Sequence, residues 1–123
     1  MKTRKFEKAR AGLLLIASPR FKNLGEGLSR GTYHERKQKE VDEFVASLED
    51  SLELVHPGIV YGREDMEQAM MLFYKEKVDF IVANFLSWSE DFAWIRFLRD
   101  MPEMPILFVN IVKDKVSFED TLD

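Results

Sequence analysis

The stretch Val78-Asp79-Phe80-Ile81-Val82-Ala83 is apolar at every position except Asp79. A strand with one face in water alternates apolar and polar side chains. A near-continuous apolar run instead belongs to a parallel strand that helices cover on both sides. Leu13–Ala17 and Ile106–Ile111 have the same character, and Leu52–Val55, broken by Glu53, reads as an edge strand.

Helical patterns lie between these runs. Thr32 and Glu35 form a capping box ahead of a helix from about Tyr33 to Glu49, whose apolar stripe is Val41, Phe44, Val45 and Leu48. Met66, Ala69, Met70 and Phe73 repeat that spacing after a turn at Gly62. A third helix, with Ser87 and Glu90 as its capping box and Trp88 as its first helical residue, runs to about Asp100. Pro102 and Pro105 then punctuate the entry to the last run. Strands therefore alternate with helices from end to end. Right-handed crossovers turn that order into a three-layer α/β domain around an open parallel sheet. The flavodoxin-like strand order 2-1-3-4 puts the two apolar runs Leu13–Ala17 and Val78–Ala83 at the centre and Leu52–Val55 at a rim.

The chain has 123 residues, 46% hydrophobic and 33% charged, which fits one domain with its own core. Residues 1–10 read as a basic tail (Lys2, Arg4, Lys5, Lys8 and Arg10), 11–112 as the α/β domain, and 113–123 as a polar C-terminal tail. The basic start followed by Leu13–Ala17 imitates a secretory signal, but Pro19 stands where small residues should precede cleavage, so a buried strand is the expectation. No apolar run is long enough to span a bilayer. The absence of Cys fits a reducing compartment, so a cytoplasmic protein is expected. A formal charge of -4 argues against a general nucleic-acid binder. Ile106–Ile111 is as apolar as the central strands, yet little follows to shelter it. A bare apolar rim is an aggregation hazard, so a partner subunit or further polypeptide is expected to cover it.

Ligands of open α/β sheets bind beyond the carboxyl ends of the strands, where the strand order reverses. Two segments lie there: SPRFKNLGEGLSRG after the first strand and NFLSWSED after the third. Trp88 is a candidate for stacking on a ligand such as a sugar, with Arg20 or Arg30 bonding its oxygens; packing against Phe85 and Phe92 is the alternative. The acidic pocket of a phosphoacceptor domain is missing, because Ser18, Pro19 and Arg20 follow the first strand. Gly25, Gly27 and Gly31 come too late for a flavin-phosphate turn, and neither a Walker loop nor a dinucleotide fingerprint is present. His34 and His56 are far apart in sequence and suggest no converging metal ligands.

Residues Val78–Ile111 resemble the corresponding stretch of the L-arabinose and L-fucose isomerases. There a strand ends in a Thr-Trp or Thr-Phe element, a helix carries a Trp-Ile pair, and the next strand is entered through Pro. Ser87-Trp88-Ser89, Trp94-Ile95 and Pro105-Ile106-Leu107 occupy those places. The likeness extends over roughly Gly12 to Ile111, although the first strand and loop lack the Gly-Ile-Arg-Pro-like opening of the fucose isomerases.

This resemblance implies the amino-terminal flavodoxin-like domain of an aldose–ketose isomerase-like protein. Those enzymes move a proton through an enediol, assisted by a divalent metal, often Mn2+. The metal ligands and general base belong to later domains, so no catalytic residue, metal or cofactor is expected in this chain. What it would supply is part of the substrate pocket, commonly that of a neighbouring subunit in a homo-oligomer. Trp88 with Ser87 matches the aromatic element, Arg20 is the nearest match to the first-loop arginine, and Arg30 competes with it. The sugar substrate, the protein's other domains and its neighbouring subunits are the expected partners, with no nucleic acid and no membrane. A stand-alone module that binds a small polar metabolite or a protein partner is the alternative.

Overall fold

A computed structural model of the chain describes residues 8–87 and 91–109. The elements are β1 (Arg10–Ile16), a short 3-10 turn (Pro19–Phe21), α1 (Tyr33–Leu48), β2 (Glu53–Val55), β3 (Ile59–Val60), α2 (Arg63–Lys75), β4 (Phe80–Phe85), α3 (Asp91–Asp100) and β5 (Ile106–Phe108). Every strand pairing is parallel, in the order β2-β1-β4-β5, with β3 also paired to β1. This is the predicted flavodoxin-like sheet, with its second strand in two pieces.

The break in that strand has a local cause. Val55 lies opposite Gly12 and Ile59 opposite Leu15. His56, Pro57 and Gly58 therefore fill a gap that β1 spans with only Leu13 and Leu14. One surplus residue makes a bulge. Pro57 has no N–H to give the ladder, and Gly58 sits at φ +97°, a region side-chain-bearing residues avoid. The sequence pattern showed Leu52–Val55 and missed Ile59–Val60.

From Ala11 onward β1 is buried, because it has neighbours on both sides and helices on both faces. Leu14 and Ile16 join Ile81, Ala83, Met66, Ala69, Met70, Phe73 and Phe97 under α2 and α3. Leu13, Leu15 and Ala17 join Val82, Tyr33 and Val41 under α1. Fully burying one such Leu or Phe contributes about 1.5–3 kcal/mol relative to leaving it exposed. The predicted apolar stripes face these two cores, although of the α1 stripe only Val41 is fully buried, and Phe44, Val45 and Leu48 lie half-buried against the same cluster.

α1 starts where the capping box puts it. The Glu35 amide donates to Thr32 Oγ1 at 3.2 Å, and the Thr32 amide donates to the Glu35 carboxylate at 3.4 Å. α3 is described from Asp91, so its expected cap at Glu90 and first residue at Trp88 lie outside the described residues. The same holds for Asn110, Ile111, the C-terminal tail and most of the basic tail. Arg10 is a correction. It opens β1 instead of closing the tail, pairs with Glu53 at 3.1 Å, and its amide donates to the Asp79 carboxylate at 2.7 Å. These contacts fasten the amino ends of β1, β2 and β4.

β5 forms one rim of the described sheet. Ile106 is half-buried, whereas Leu107 and Phe108 are 56% and 57% exposed. No helix among the described residues is long and apolar enough to cross a membrane.

Candidate functional site at the carboxyl ends of β1 and β4

Strand order reverses between β1 and β4, whose carboxyl ends lie side by side. Among the described residues only two polar side chains are buried, Ser18 and Asn84, and both stand there. Asn84 is opposite Leu15 in the ladder. Two residues beyond the last paired positions, the Ser18 amide donates to Ser87 Oγ at 3.0 Å, which ties the chain leaving β1 to the chain leaving β4. Ser18 Oγ in turn accepts from the Arg20 amide at 3.3 Å and caps the short turn Pro19–Phe21.

The first loop is built by successive tight turns, with backbone bonds from Leu24 to Phe21, Glu26 to Asn23, Leu28 to Gly25 and Gly31 to Leu28. Gly25 sits at φ +90°, and a β-carbon there would meet the Gly31 carbonyl oxygen at 2.7 Å. The glycines that sequence reading set aside as too late for a phosphate loop thus shape this one. Its far end is anchored by Tyr33, whose amide donates to the Leu24 carbonyl at 2.7 Å and whose hydroxyl donates to the Leu86 carbonyl at 3.2 Å.

A second polar cluster was not anticipated. His34 Nδ1 lies 2.8 Å from the Tyr61 hydroxyl, and the Lys22 ammonium stands 5.2 Å from the centre of the Tyr61 ring. Burial pushes the Tyr61 hydroxyl up to about 12, reinforced by Tyr33 and by the carboxylate of Asp65. Sequence reading weighed His34 alone and had no means of placing it beside Tyr61.

The four expected binding residues fare differently. Ser87 is at the strand ends, bonded to Ser18. Arg20 and Arg30 are exposed on the first loop. Trp88 lies outside the described residues. Phe85, its suggested packing partner, stacks on Phe108 at 6.3 Å and meets Trp94 edge-on at 5.3 Å. Asn84 went unassigned although its signal was present, as the one polar residue inside the apolar run from Phe80 to Phe85.

Elsewhere lies a groove of about 330 Å³ lined by Glu67, Met70, Met71, Tyr74, Arg96 and Asp100. Its polar groups are already engaged, Arg96 with Glu67 and Asp100 and the Tyr74 hydroxyl with the Asp100 carbonyl. The strand ends are the better candidate because their polar groups are buried in an otherwise apolar core. Among the described residues no group of three or more His, Asp or Glu could hold a metal ion. Comparison with protein-family models, curated proteins and solved structures returned no match.

Proposed function

We propose that the chain is the substrate-pocket and assembly domain of a sugar (aldose–ketose) isomerase-like protein of the cytoplasm. The observation that supports the proposal is the placement of Ser18, Asn84 and Ser87 along the carboxyl ends of β1 and β4, where the sheet order reverses, with the Ser18 amide bonded to Ser87 Oγ. Neutral hydrogen-bonding groups on an apolar floor suit a polyhydroxylated ligand, because each sugar hydroxyl both donates and accepts. In this proposal Trp88 stacks on the sugar's apolar face, Ser87 and Arg20 or Arg30 bond its oxygens, and the β5 rim docks against neighbouring subunits or domains. No chemical step is assigned to this chain, because the resemblance puts the ligands of the Mn2+ or other divalent ion, and the general base, in later domains.

Trp fluorescence tests the binding role. Titration with L-fucose or L-arabinose is expected to quench the wild-type emission, and the quenching is expected to vanish in Trp88→Phe. The chain supplied with Mn2+ and either sugar is expected to form no ketose. Absence of any sugar response, or measurable turnover by the chain alone, would contradict the proposal. A stand-alone module that senses a different small polar metabolite would leave both sugars silent and respond elsewhere in a metabolite panel.

A further inference from the structure

Asn84 is 3% exposed, and its side-chain Nδ2 is buried without a hydrogen-bond partner among the described residues. Buried amides are nearly always satisfied, and one that is not marks either a weakness in the fold or a function. The placement of this one favours function. Its ladder neighbour is Leu15, and by strand alternation it shares the α1-side face with Val82, whose surroundings are Leu13, Leu15, Tyr33 and Val41. A Leu in its place would suit those neighbours, so packing alone does not call for an amide. Phe85 is exposed, and Leu86 and Ser87 are half-exposed. Asn84 is the penultimate residue of β4, at the carboxyl end where ligands of such sheets bind.

We infer that Asn84 is a specificity residue: its Nδ2 donates to a hydroxyl or carbonyl oxygen of the ligand bound at the carboxyl ends of β1 and β4. The inference rests on the sugar-binding function proposed above and assigns a recognition role to a residue outside that pocket's aromatic and arginine groups. The partner atom is a neutral oxygen, because an amide among Leu, Val and Tyr side chains cannot offset a buried charge. A ligand without an oxygen at that point leaves the donor as unsatisfied as it is in the free protein. Polar discrimination follows, since sites built to bond an oxygen refuse analogues that lack it.

The test uses the full chain and two readouts. In wild type, the side-chain amide signals of Asn84, identified by their loss in Asn84→Leu, are expected to shift during NMR titration with L-fucose or L-arabinose. Asn84→Leu is expected to bind the responding sugar about tenfold more weakly or worse. Without ligand, the same variant is expected to melt at a higher temperature than wild type, because it replaces an unpaired buried donor with an apolar group of similar size. A lower melting temperature would show the amide to be a structural group and overturn the inference. A sugar response that leaves the Asn84 signals unmoved, with equal affinity in Asn84→Leu, would overturn the inference while sparing the proposed function. No sugar response at all would overturn the proposed function and this inference with it.

Discussion

At the scale of single residues, Gly12 and Tyr61 make opposite demands on their surroundings. Gly12 is an ordinary strand position in conformation, but a β-carbon there would lie 2.7 Å from the Phe73 ring and 2.8 Å from Ile81 Cδ1. Glycine at this point lets α2 press against β1. Gly12→Val is expected to cost about 1–3 kcal/mol of stability through overpacking, read as a lower urea midpoint at unchanged slope. Tyr61 demands a proton. Its folded pKa of about 12 exceeds the unfolded value of 10.0, so its contribution to stability is complete below pH 10 and is lost as pH rises through 12. Wild type is expected to weaken over that interval more steeply than Tyr61→Phe, as denaturant midpoints measured from pH 8 to 12 would show. Neither residue was legible in the sequence as important. Gly12 is one glycine beside an apolar run, and the His34–Tyr61 contact joins residues 27 apart through a strand of only two residues.

At the scale of elements, the sequence was legible wherever a periodic pattern outlasted one turn. The stripe of α2 and the capping box of α1 foretold helices that occupy those places, and the central apolar runs became β1 and β4. The Thr32 cap accounts for the sharp start of α1 and for the position of Tyr33 and His34 over the strand ends. Thr32→Ala is expected to lower stability by about 1 kcal/mol in equilibrium denaturation. It is also expected to loosen Tyr33 from Leu86, which amide hydrogen exchange in the first turn of α1 would report. What patterning missed at this scale was short. Ile59–Val60 offers two residues after a Pro-Gly pair, too few to establish a period, and only its ladder with Leu15 and Ile16 makes it a strand. The candidate site was partly legible for the same reason: the rule for open α/β sheets located it, whereas the burial of Asn84 depended on which face of β4 that residue occupies.

At the scale of the whole molecule, the sheet has two unlike rims. Along β2 and β3 the chain kinks at His56–Gly58, and Glu53 is engaged by Arg10. Along β5 the described residues are apolar and Leu107 and Phe108 stand largely in the open. The proposed assembly role uses the second rim. Sedimentation velocity is expected to find wild type associated and Leu107→Glu shifted towards monomer; a wild type that sediments as a monomer at every concentration would contradict that role. The kinked rim sets a limit on such association. Endless stacking of sheets requires adhesive borders on both sides of each unit, and here a proline, a left-handed glycine and a paired carboxylate blunt one of them. Were copies to join through the remaining border about a twofold axis, they would exhaust it, giving a closed pair and not a fibre.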